Sequence, residues 1–205
     1  MTDESADADF SPIAVTLRGG RRVALRSIRP DDREVLQAAF GRLSGEARYM
    51  RFMATMKDLS PATLERAVHP VAGRDLALVA LADPAAKGAD GSIVAGARYI
   101  ADPDLQTCEF GIAVAEDWRG VGLASCLMQE LIRSARARGL KGMEGFILTG
   151  NTPMRNLAKR LGFEATASSE GPGVVRVWLD LRSGNRDGRE AVGRPGSANG
   201  DRNFN

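Results

Sequence analysis

The chain is poor in the residues from which metal and redox sites are built. Its 205 residues include two cysteines and one histidine. Structural zinc takes about four Cys and His ligands at close spacing, and Cys108, Cys126 and His69 are too few and too scattered to supply them. The cysteines fall in a strand-like run and on a helix face, so they read as buried free thiols in a reducing cytoplasm. His69, next to Pro70, has no catalytic partner nearby in sequence and reads as a loop residue. Aromatic residues make up 5% of the chain and do not alternate with a basic stripe, which argues against nucleic acid as a partner. Lys and Arg number 28 against 26 acids, so no strong field of one sign exists. No apolar run approaches the roughly 20 residues of a membrane helix. Met1 to Asp9 carries four acids and no base, the reverse of a secretory leader.

What is present is alternation and helical periodicity. Residues 1–12 (acidic and small) and 183–205 (rich in Gly, Asn, Arg and Asp) read as disordered tails, leaving 13–182 as one domain. Ile13–Leu17 and Arg22–Ile28 flank a Gly19-Gly20 turn as a hairpin. A helix opens at Asp31 and runs to about Leu43. Ser44-Gly45-Glu46 reads as a break before a short helix, Arg48 to Phe52. Ser60-Pro61 starts another, Ala62 to Val68. Strands follow at 76–82, 92–100 and 106–114. A helix at 123–138 is apolar at Ala124, Leu127, Met128, Leu131, Ile132 and Ala135, with Ser134 on its outer face. Then come a strand (142–148), a helix (152–161, Asn151 as N-cap) and a hairpin of Phe163–Ala167 with Val174–Leu181. The pattern is an α/β sheet, mixed rather than fully parallel.

The chemistry concentrates at Asp117-Trp118-Arg119-Gly120-Val121-Gly122-Leu123-Ala124. Glycines at the mouth of a helix leave backbone N–H groups pointing outward at the positive end of the helix dipole, which suits phosphate. The loop is too short for a Walker A motif and lacks the third glycine of a dinucleotide fingerprint. A one-turn pyrophosphate cradle remains, and it suits a coenzyme A. Arg119 is either a phosphate contact or a surface arginine; Trp118 reads as a packing anchor.

In the preceding strand Cys108, Phe110, Ile112 and Val114 share one face and Glu109, Gly111 and Ala113 the other. Gly111 and Ala113 either leave a slot for an acyl-pantetheine arm or mark close packing. Glu109 is the candidate base, since burying a carboxylate raises its proton affinity toward a useful range; the alternative is an ion pair with Arg98 or Arg119. Glu116 and Asp117 read as solvated. Ser125 and Ser134 lack a nucleophile-elbow context.

The element order and the cradle resemble the GNAT acyltransferases, which move an acyl group from acyl-CoA to an amine. Their signature is Arg/Gln-x-x-Gly-x-Gly/Ala after the fourth strand. This chain keeps both glycines but has Asp117 at the first position. Gly150-Asn151-Thr152-Pro153-Met154 and Leu157 to Phe163 resemble the family's Asn-containing helix and its closing Gly-Phe. The position where many relatives carry a tyrosine acid is Ala158. Arg26 to Asp32, Leu43-Ser44, Arg48 to Phe52, Ala97-Arg98-Tyr99 and Glu109 to Val114 resemble the GNAT domain of Pat-type protein lysine acetyltransferases.

The resemblance covers roughly residues 13–181. It implies a single GNAT-like domain, with a mostly antiparallel central sheet flanked by helices. It also implies that Glu109 is the base and that acetyl-CoA or a short relative is the co-substrate, with no metal. Ile112, Ala113, Val114, Arg119, Gly120, Val121, Gly122, Leu123, Ala124 and Asn151 would hold the coenzyme, and a backbone N–H near Val114 would polarise the thioester carbonyl. The acceptor implied is a lysine of a partner protein. The alternatives are a small-molecule amine or an acyl-CoA-binding regulatory module without catalysis.

Overall fold

The computed structural model describes residues 10–82, 91–168, 171 and 173–182. Strands β1 (Ile13–Thr16) and β2 (Arg22–Ser27) form the opening hairpin. Helices α1 (Arg33–Arg42), α2 (Gly45–Phe52) and α3 (Pro61–Val68) follow. Then come β3 (Leu76–Ala82), β4 (Ile93–Ala101), β5 (Thr107–Val114), α4 (Leu123–Ala137), β6 (Gly142–Leu148), α5 (Thr152–Arg160), β7 (Glu164–Ala167) and β8 (Val174–Asp180). All eight strands lie in one sheet, in the order β1-β2-β3-β4-β5-β6-β8-β7. Every neighbouring pair is antiparallel except β5 and β6.

That exception positions the site. β5 pairs with β4 from Cys108 to Val114, but with β6 only from Thr107/Gly142 to Glu109/Glu144. Two parallel strands that separate after three residues leave a wedge between their carboxyl ends, where α/β sheets bind ligands. Just past the point of separation the Phe110 ring lies against Gly145, edge-on to Phe163 at 5.2 Å.

α4 covers one face of the sheet. Leu127, Met128, Leu131 and Ala135 are fully buried there against Leu78, Tyr99 and Cys108; their spacing is the stripe expected of a core-facing helix. The other face carries α1 and α3, with Ile28, Val68, Ala77, Val79 and Ile93 in a smaller core. On that face β4 and β5 present Gly96 beside Ala113 and Arg98 beside Gly111, since register partners share a side of the sheet.

Three expectations change. The break between α1 and α2 is there, but Ser44 is also the N-cap of α2, which starts at Gly45 rather than Arg48: its Oγ accepts the Ala47 N–H at 3.1 Å. Phe10, placed in a disordered tail, is 4% exposed in the main core. Ser134, placed on the outer face of α4, is 9% exposed, with its Oγ 3.5 Å from the Tyr99 hydroxyl; the helix is covered over a wider arc than its apolar stripe shows. Residues 1–9 and 183–205 of the assigned tails, and 83–90 of the loop before β4, lie outside the described residues.

Candidate active site

All the residues nominated from the sequence except Val121 line one cleft of about 820 Å³. At one end is the mouth of α4. Gly120 and Gly122 have φ of +75° and +96°, and a Cβ added to either would meet no atom within 4 Å. The backbone conformation, not crowding, calls for glycine here. No side chain caps α4 and no acid stands in its first turn. The first intrahelical bond runs from Cys126 N–H to Gly122 O at 3.1 Å, so the N–H groups of Leu123, Ala124 and Ser125 have no acceptor within the helix. An uncapped, acid-free helix start is a place for an anion.

Cations line the same cleft. Arg119 lines the cleft, 3.7 Å from Glu116. Arg18 and Arg160 line it too, and the sequence reading named neither. Arg18 arrives from the turn between β1 and β2, where its backbone N–H donates to Val121 O at 3.1 Å. From the same turn Arg21 donates to the Asp117 carbonyl and lies 5.0 Å over the Trp118 ring. The hairpin therefore clamps the glycine loop and carries a guanidinium to it. Asp117, at the signature's Arg/Gln position, is exposed and does not line the cleft.

The middle of the cleft is the edge of β5 past its separation from β6. Ala115 N–H donates to Val94 O at 2.9 Å. By antiparallel alternation the N–H groups of Val114 and Ile112 then point away from β4, into the wedge. Asn151 lines the wedge from the other side, its Oδ1 accepting the Met154 N–H at 3.2 Å as the cap of α5. Ala158 is buried.

Glu109 stands at the apex of the wedge and is exposed, so the burial expected of it is not found. Its register partner is Glu144, whose carboxylate accepts from Arg176 Nε at 2.6 Å. The ion pairs considered for Glu109 go elsewhere: Arg98 lies 4.0 Å from Asp75, and Arg119 pairs with Glu116. Glu116, also exposed, accepts from Ser44 N–H at 3.0 Å. Partial burial opposes its ionisation, but the Ser44 hydrogen bonds and the Arg119 charge hold its carboxyl below the usual range.

The slot at Gly111 is filled. A Cβ there would overlap the Arg51 guanidinium, which reaches β5 from α2 and was not foreseen. Burial pushes Arg51 down to about 10; neighbouring Arg98 adds to the shift and Glu109 opposes it. It is still a cation at neutral pH. Glu46 and Met50 of α2 and its C-cap residue Met53 also line the cleft. Both cysteines are free; burial pushes Cys108 up to about 12, with Asp102 and Glu144 contributing, so it is inert as a nucleophile.

An anion cradle, a wedge edged by inward-pointing amides and a carboxylate at its apex define an enzyme that binds a phosphorylated coenzyme and transfers a group across the wedge. The family model described as "Acetyltransferase (GNAT) family" matches residues 50–163. Acetyltransferase PA5475 of Pseudomonas aeruginosa is 35% identical over 150 residues, which is 72% of this chain and 78% of that protein. Acetyltransferase Pat of Mycolicibacterium smegmatis is 32% identical over 175 residues, 85% of this chain but 50% of that longer protein. The GNAT domain of S. lividans PAT superposes with a TM-score of 0.73 at 28% identity, covering 82% of this chain and 96% of that domain. The chain belongs to the GNAT family and is an N-acetyltransferase; enzymes of this family use acetyl-CoA.

Proposed function

We propose that this enzyme transfers acetyl from acetyl-CoA to the ε-amine of lysine on a partner protein, by direct attack and with Glu109 as general base. The observation that carries the reading is the exposed Glu109 at the apex of a cleft that also holds an uncapped helix start and is lined by three arginines. Glu46, which also lines the cleft, adds a second carboxylate, which favours a cationic acceptor. Similarity across nearly the whole GNAT domain of S. lividans PAT supports a protein lysine as that acceptor.

Acetyl-CoA supplies an acyl group already activated as a thioester, with a thiolate that leaves without an acid catalyst. The N–H groups of Leu123, Ala124 and Ser125, with Arg18, Arg119 and Arg160, would hold its phosphates. The N–H of Ile112 or Val114 would orient and polarise the carbonyl. Lysine, with a pKa of about 10.4, is almost wholly ammonium at pH 7, so the acceptor must give up a proton first. Glu109 takes it, directly or through a water, and its exposure lets the proton pass to solvent.

The test is acetyl-CoA incubated with the enzyme and a library of lysine peptides, read by mass spectrometry. Nε-acetylation above the enzyme-free background is expected. Glu109→Gln should reduce the rate by roughly 10²–10⁴-fold with acetyl-CoA affinity kept. A full rate in Glu109→Gln overturns the base, and acetylation confined to free small amines overturns the acceptor.

A further inference from the structure

A second cavity of about 310 Å³ lies on the α1–α3 face of the sheet. Ala77, Gly96 and Ala113, small residues on adjacent strands, form its floor, and Leu36 and Phe40 of α1 close it. It shares Arg51 and Gly111 with the coenzyme cleft, so the Arg51 guanidinium is a wall common to both. Its size is at the low end for small-ligand pockets, roughly 300–1,000 Å³.

Its charged groups are of one kind. Arg51, Arg66 and Arg98 line it, and the carboxylates that act on them are Glu109 on Arg51 and Asp75 on Arg98. Arg98 lies 4.0 Å from Asp75, while Arg74 Nε holds the same carboxylate at 3.0 Å. The Arg98 Nε is buried without a hydrogen-bond partner. Among the described residues Arg51 and Arg66 have no ion pair or hydrogen bond. Glu65, beside Arg66 on α3, is engaged by Arg33 at 2.6 Å. Guanidinium groups gathered on an apolar cavity are costly unless an anion joins them, and the planar fork of arginine matches a carboxylate in two parallel hydrogen bonds.

We propose that this cavity binds a small carboxylate with an apolar body, its carboxylate on Arg51, Arg66 and Arg98 and its hydrocarbon on the Ala77–Gly96–Ala113 floor. Such a ligand has two possible sources, a free carboxylic acid acting as an effector or the carboxylate end of a small amine acceptor. The site goes beyond the lysine reading and does not depend on it.

Calorimetric titration with 4-methylpentanoate, 4-methylpentanamide and leucine tests the proposal on the wild type, Arg66→Gln and Gly96→Val. Arg66 is exposed on α3, and a Cβ at Gly96 would meet only Leu78 O, at 3.8 Å, so both variants should fold. The acid is expected to saturate the wild type, with the amide at least about tenfold weaker, the worth of one charged hydrogen bond. Arg66→Gln should weaken the acid about as much, and Gly96→Val should abolish its binding, with acetyl-CoA affinity kept in both. Acid binding with acetylation of leucine would assign the site to an acceptor, and acid binding without it to an effector. No saturation by the acid, equal binding of the amide, or binding unchanged in both variants overturns the proposal.

Discussion

The structure holds Gly120 and Gly145 for opposite reasons. Gly145 is buried, and a Cβ there would come 2.5 Å from the Phe110 ring. That ring is pinned edge-on against Phe163. Gly145→Ala is expected to cost about 1–3 kcal/mol, the usual penalty for overpacking, seen as a lower denaturant midpoint. Gly120 has open space beside it but a left-handed backbone. Gly120→Ala should cost roughly 1–2 kcal/mol through strain alone, and relief of that strain turns the cradle's amides, so acetyl-CoA should bind more weakly. If Gly120→Ala binds acetyl-CoA as the wild type does, the cradle assignment fails. The glycine pair at 120 and 122 was legible because motif and helix start are contiguous. Arg51 over Gly111 was not: the two are 60 positions apart, and strand alternation shows where a side chain is missing without showing what fills the gap.

Among the elements, most strands and helices fell within one or two residues of their sequence-read bounds, because apolar alternation and the i, i+3, i+4 stripe follow directly from burial on one face. The start of α2 was misplaced because Ser and Gly signal both a break and a cap, and only the Ser44–Ala47 hydrogen bond separates the two. The entry to α1 was read as an Asp31 cap, whereas the N-cap position is Asp32, whose side chain closes the turn before the helix rather than capping the helix itself. Its carboxylate accepts from Arg26 at 2.6 and 2.7 Å and from Arg29 N–H at 2.7 Å. Burial opposes the Asp32 charge, but these hydrogen bonds outweigh it and hold its carboxyl below the ordinary value. A depressed pKa stabilises the fold at pH values above the unfolded one, near 3.9, and the stabilisation is lost as pH falls through the folded value. Asp32→Asn removes the carboxylate charge that pairs with the part-buried Arg26 at 2.6 Å, so at pH 7 it should be about 3 kcal/mol less stable than wild type. The gap should begin to narrow below about pH 4 and shrink progressively as pH falls further. Urea titrations across that range check it, and a gap that stays constant down to pH 2 would show that the charge of Asp32 is not the cause.

At the scale of the molecule, the basic lining of the coenzyme cleft comes from parts far apart in the chain. The β1–β2 turn brings Arg18, the loop before α4 brings Arg119, and the end of α5 brings Arg160. Sequence spacing carries no trace of this convergence, and so Asp117 at the signature position left a contact in doubt that Arg18 now offers to fill. If the three arginines and the α4 amides bind the phosphates, acetyl-CoA stabilises the whole fold by mass action. At 100 times its Kd it adds about 2.7 kcal/mol, or about 5–10 °C in Tm for a domain of this size. Free coenzyme A should do nearly as well, since it keeps the pyrophosphate, and ADP should do less. Arg18→Ala should raise the Kd for acetyl-CoA by about tenfold, one charged hydrogen bond, with the difference shrinking at high salt as exposed charges are screened. An Arg18→Ala enzyme whose Tm shift matches wild type at every ligand concentration would mean that the hairpin only clamps the loop and leaves the phosphates to Arg119, Arg160 and the amides.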